Sequence, residues 1–212
     1  MIDALNIERP LLAVEVARRC ELSAEAQPLL RADFTPQQYF AELARRALYA
    51  DAVKLAAHYL TPREAVWWGC LCLWQVIRQN ESPPDAAALD AAVRWVQEPT
   101  EARRRAAKQA ATATRPTSIA GGLARAAFFT GGSISLAGQP HVDPPADQAA
   151  RTVADLVLLA AQLAAHELKS ACLRHFLQLA GEVSRGEAPW SVDDATAGNS
   201  PTATKPQELE HA

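Results

Sequence analysis

Three times in this chain a hydroxyl residue is followed at once by proline and then by a side chain able to reach back to it. The segments are Thr35-Pro36-Gln37-Gln38, Thr61-Pro62-Arg63-Glu64 and Ser82-Pro83-Pro84-Asp85. The hydroxyl accepts from an unpaired first-turn N–H, and proline fills the first helical position, where its missing donor costs nothing. Gln38 and Glu64 can close capping boxes, and Asp85 complements the helix dipole. A chain punctuated in this way is committed to helices.

Apolar periodicity between these stops predicts helices near 9–21, 36–49, 51–60, 62–79, 84–97, 100–113, 118–129, 147–165 and 168–184. Gly131-Gly132 and Gly186 supply C-terminal stops. A long loop from Thr130 to Ala146 carries Pro140, Pro144 and Pro145. Hydrophobic residues make up 49% of the 212 residues and aromatics only 6%, as suits close-packed alanine-rich helices. The expected fold class is all-α: a single layered or orthogonal bundle of about nine helices over 1–186. A disordered acidic tail over 187–212, with Trp190 as its one aromatic, is expected to follow. The capped starts at 35, 61 and 82 are unequally spaced, which argues against a solenoid repeat.

Charge and cysteine usage exclude several classes. Five of the 24 acids and one of the 21 bases lie after Gly186, which leaves 19 acids and 20 bases in the body. A near-neutral body argues against nucleic-acid binding. Cys20, Cys70, Cys72 and Cys172 all fall in apolar helical stretches and are expected reduced and buried. Asp3, Glu8 and Arg9 interrupt any signal-peptide run, and the most apolar stretch, 153–165, contains Asp155 and is shorter than the roughly 20 residues of a membrane span. The expectation is a cytoplasmic protein that binds no membrane.

The helix opened by Pro62 places Val66, Cys70, Leu73, Trp74 and Ile77 on one face, with Trp67 at its edge. Trp68 points with Glu64, Gln75, Arg78 and Gln79, because adjacent positions cannot share a face. Trp95 similarly lies well off the stripe of Leu89, Ala92, Val93 and Val96. Either a second layer of helices covers both indoles, or they mark a partner-binding surface. Trp68 and Trp95 are therefore the candidate partner-binding residues.

Catalytic and cofactor patterns are not met. Cys172 and His175, with His166 before them, lack a second ligand pair at zinc spacing, and a buried Cys172 beside a solvent-facing His175 is expected. Gly131-Gly132-Ser133-Ile134-Ser135 is not a nucleophile elbow, and neither glycine pair continues into a phosphate loop. Gly121-Gly122 instead suits close helix packing. Arg103-Arg104-Arg105 with Lys108 lies opposite Ala102, Ala106 and Ala110 and reads as a solvated face. No catalytic residue, cofactor or metal is assigned.

Three segments resemble a bacterial family known only as a domain of unknown function: Thr61-Pro62-Arg63-Glu64-Ala65-Val66-Trp67-Trp68, Trp95-Val96-Gln97-Glu98-Pro99-Thr100-Glu101 and Phe128-Phe129-Thr130-Gly131-Gly132-Ser133. The resemblance spans roughly residues 10 to 186 and carries no functional residue with it. It implies an association with type VI secretion gene neighbourhoods and hence an accessory or adaptor role.

The reading that follows is a non-catalytic adaptor or chaperone whose partner is another protein, such as a secretion-system component. One alternative is an enzyme in which Trp67, Arg63, Glu64 and His58 meet near one helix start. Another is a structural subunit of a homo-oligomer.

Overall fold

Each of the three hydroxyl-proline segments opens a helix in the computed structural model, which describes residues 11–77, 82–136, 138–164 and 168–188. Thr35 and Gln38 exchange a reciprocal pair of bonds, Gln38 N–H to Thr35 Oγ1 at 3.2 Å and Thr35 N–H to Gln38 Oε1 at 2.9 Å. Thr61 N–H donates to Glu64 Oε2 at 2.8 Å, and Asp85 N–H donates to Ser82 Oγ at 3.4 Å. Arg78, Gln79, His166, Trp190 and the expected tail beyond Ala188 lie outside the described residues.

The described residues form nine α-helices and no strand: α1 (Ala13–Ala17), α2 (Pro36–Arg45), α3 (Tyr49–Tyr59), α4 (Pro62–Ile77), α5 (Pro83–Gln97), α6 (Glu101–Ala113), α7 (Ile119–Phe128), α8 (Gln148–Gln162) and α9 (Lys169–Ser184). The all-α expectation holds. Among the boundaries that differ from it, two helix ends come early for a physical reason. The first helix is expected over 9–21, but α1 ends at Ala17, and the chain then turns so that Ser23 can satisfy Asp51. The Ser23 N–H and hydroxyl donate to the two oxygens of that buried carboxylate at 2.8 and 2.9 Å. Leaving Asp51 unpaired in the core would cost more than shortening an apolar helix. The second helix is expected to reach 49 but stops at Arg45, because Ala47 adopts the left-handed conformation at φ 58°. Leu48 N–H then returns to Leu43 O at 3.0 Å, a terminating motif usually built on glycine.

Two helices form the interior. α4 packs against α5, α7, α8 and α9, and α7 packs against α4, α5, α6 and α8. Every residue of α4 from Ala65 to Leu73 is buried, so its middle is apolar on all sides. The two cross closely at Gly69, where a Cβ would stand 2.6 Å from Leu123 Cδ1. Gly121 is tighter still, since a Cβ there would meet Thr114 Oγ1 at 2.0 Å. Gly121-Gly122 thus serves close packing, as its sequence suggests.

Candidate functional site

Trp68 and Trp95 do not lie on the surface: Trp68 is 0% and Trp95 5% exposed. A two-sided wheel misplaces Trp68 because the polar residues that define its side stand at the ends of α4, while the run from Val66 to Leu73 contains no charge. That uncharged run was the available signal for a fully sheathed helix. The Trp68 indole N–H donates to Phe176 O of α9 at 2.7 Å, which satisfies the one polar atom of the buried ring. Trp74, expected on the core face, is only half-buried and meets Trp67 edge-on with centroids 5.5 Å apart.

Three residues of the enzymatic alternative are held by structural contacts. Arg63 crosses to the end of α5, with Nε donating to Val96 O at 2.6 Å and Nη2 to Gln97 O at 3.2 Å. Glu64 is held in the α4 capping box, and Trp67 is buried. His58 lines two adjoining clefts, and Arg63, Glu64 and Trp67 are not among the residues that line either.

The basic run is not a uniformly solvated face, because Arg104 is buried, 4% exposed. The inward face of α6 is Arg104, Ala107 and Ala111, turned away from the expected alanine line. The Arg104 guanidinium lies 4.5 Å from the Phe128 ring centroid, bonds the Phe128 carbonyl and donates to Ser133 O at 2.7 Å and Glu101 Oε2 at 2.7 Å. Arg105 adds a bond to Ser135 O at 3.0 Å. Gly132 is required beside them: its φ is +64°, and a Cβ there would stand 2.9 Å from Arg104 Nη2.

Arg63 and Arg104 therefore join the three distinctive segments of the sequence. Arg63, in the first, holds the carbonyls of Val96 and Gln97 in the second. Arg104 pairs with Glu101 of the second and binds carbonyls of the third. These segments serve to fasten helices and a loop.

All four cysteines are free; Cys70 and Cys72 are buried, whereas Cys20 and Cys172 are half-buried, contrary to the expectation for those two, and His175 is half-buried as well. Burial pushes the Cys20 thiol up to about 12 and raises the others. Among the described residues no group of His, Cys, Asp and Glu could hold a metal ion.

Two surface features were not visible in the sequence. Leu159, Leu163 and Leu168, at the α8–α9 junction, are 45%, 56% and 58% exposed. The second feature is a cleft of about 240 Å³ lined by Arg19, His58, Leu60, Pro62, Phe129 and Asp147, among others. Arg19 Nε donates to Asp147 Oδ1 at 2.8 Å, and that bond holds the Asp147 carboxyl below its ordinary range. Residues so distant in sequence meet only through packing.

Fold and sites together define an all-helical bundle protein whose most distinctive side chains hold its helices in place. The chain belongs to a family of unknown function, DUF6931, which matches residues 39–184. All three segments that carry the resemblance fall inside the match, whereas α1 and the whole of the chain before Tyr39 fall outside it, a narrower span than the expected 10–186. No curated protein and no solved structure matches the chain.

Proposed function

We propose that this protein is a non-catalytic adaptor or chaperone that binds another protein through the leucine ridge at the α8–α9 junction. The carrying observation is the exposure of Leu159, Leu163 and Leu168. Leu159 and Leu163 are one helical turn apart, so they project from the same side of α8, and Leu168 opens α9. Bulky apolar groups paired one turn apart, as Leu159 and Leu163 are, are costly to leave wet. Their spacing suits an amphipathic helix of the partner, anchored at one-turn intervals. The burial of Trp68 and Trp95 moves the docking surface away from them.

The engagement of Arg63 and Glu64 in structural bonds supports the non-catalytic reading over the enzymatic one. Free cysteines support a reducing cytoplasm, and no described helix is long and apolar enough to cross a membrane. An accessory place beside a type VI-like secretion system is part of the proposal and rests on the sequence resemblance.

The test uses the full chain and its Leu159→Glu/Leu163→Glu variant as bait in the native cell. A partner captured by the parent should be lost with the variant while the melting temperature stays unchanged. Capture that survives the double substitution would remove the ridge as the docking surface. A parent that is dimeric by light scattering and a variant that is monomeric would favour a homo-oligomer instead.

A further inference from the structure

Residues of α1 and of the loop after it, Val14, Ala17, Cys20, Leu22 and Leu30, form the apolar wall of a groove of about 350 Å³. Ala17 is buried, but Val14, Cys20, Leu22 and Leu30 are only half-buried. An apolar cavity of roughly 150 Å³ already accommodates a benzene ring, so the groove has room for more than one aliphatic side chain. Arg18 also lines it, is exposed and forms no ion pair among the described residues. The groove shares no lining residue with the clefts at His58 or with the leucine ridge.

The chain brings a complementary segment to this place. Leu11, the first described residue, is 46% exposed and stands three residues before Val14, so the residues before it join α1 at the surface beside the groove. Leu12 is extended, at φ −93° and ψ 146°, which turns the incoming chain off the α1 axis. The sequence ahead of it runs Asp3-Ala4-Leu5-Asn6-Ile7-Glu8. In extended backbone Asp3, Leu5 and Ile7 project to one side, and Ala4, Asn6 and Glu8 to the other. Leu5 is six residues from Leu11, which gives it a reach of about 20 Å. A segment tethered this closely has an effective concentration in the millimolar range, which any separate occupant must exceed.

We propose that the chain's own N-terminal segment lies extended in this groove, with Leu5 and Ile7 against Val14, Leu22 and Leu30 and with Asp3 beside Arg18. Apolar side chains meet the apolar wall, and the acid meets the one cation there that lacks a carboxylate. A second copy would offer the same residues, but without the tether it competes at a lower effective concentration. Docked in this way, the segment covers the Cys20 thiol. The inference does not rest on the leucine ridge or on the adaptor reading.

The full chain with the photoreactive residue p-benzoylphenylalanine in place of Leu5, irradiated in dilute solution and digested for mass spectrometry, tests the placement. Cross-links should fall within residues 14–30 of the same molecule. Links to other parts of the chain, a product of twice the mass, or no link at all would each overturn the proposal. Thiol labelling of the full chain tests the covering, with half-buried Cys172 of α9 as the internal reference. Leu5→Asp/Ile7→Asp should raise the labelling rate of Cys20 relative to that of Cys172 about tenfold, because the segment no longer closes over the groove. A ratio of the two rates that does not rise overturns the proposal, whatever the melting temperature does.

Discussion

The indole nitrogen of Trp68 donates to the backbone carbonyl oxygen of Phe176 at 2.7 Å, a buried bond between α4 and α9. Both side chains are 0% exposed, so the bond lies inside the hydrophobic core. Trp68→Ala should therefore cost about 3–5 kcal/mol through lost transfer energy and a cavity. Trp68→Phe, which keeps most of the ring but removes the donor, should cost about 1 kcal/mol for the bond together with a smaller packing loss. Trp74→Ala, from a half-buried position, should cost less than Trp68→Ala. Urea unfolding of the three variants gives the order, and a Trp68→Ala midpoint equal to the parent's would contradict the buried placement.

Arg104 fixes the loop after α7 by bonding the carbonyls of Phe128 and Ser133. Arg104→Ala leaves those carbonyls and the Phe128 face without their cation and should destabilise the fold by about 2–4 kcal/mol. Lysine should not rescue it, because a single ammonium cannot match the planar fork that spans both carbonyls. Hydrogen exchange should quicken over 130–136 in both variants. Unchanged protection there would show that other contacts hold the loop.

Ala47 ends α2 at φ 58°, where an L side chain is strained and glycine is not. The residue is exposed, so nothing packs on its methyl group. Ala47→Gly should raise stability by about 0.5–1 kcal/mol, the relief of strain outweighing the added freedom of the unfolded chain. A lower melting temperature in the glycine variant would refute the left-handed assignment.

His58 links stability to pH. Burial pushes its folded-state pKa below the ordinary 6.5. The unfolded chain therefore binds a proton more readily than the folded one just below that pH. The contribution is complete above 6.5 and is lost as pH falls from there toward the folded value. Arg19 and Arg151 oppose protonation of the ring, whereas Asp147 favours it. Unfolding free energy measured between about pH 8 and 5 should decline on the acid side, and His58→Gln should flatten that limb. An unaltered limb in the variant would assign the pH dependence to another group.

How far the sequence alone reaches depends on the distance over which each feature is decided. Helix starts are local: a hydroxyl, a proline and a reaching side chain within four residues settle where α2, α4 and α5 begin, and they began there. The all-helical class and the close approach at Gly121-Gly122 also follow from short-range pattern. Where a side chain points depends on how many neighbours its helix has, and α4 has them on every side. Trp68 is buried for that reason, although its flanking residues suggested a surface. Arg104 turns inward because Phe128 and the carbonyl of Ser133 await it, not because of anything in its own run of arginines. The helix ends at Ala17 and Arg45 were likewise decided by distant or unusual partners, the first by Asp51 and the second by Ala47, an alanine in a conformation glycine usually fills. The cleft at His58 and the leucine ridge exist only once α3, α8 and α9 are assembled. Local hydrogen bonding wrote the list of helices, and packing alone chose which faces were left to meet another molecule.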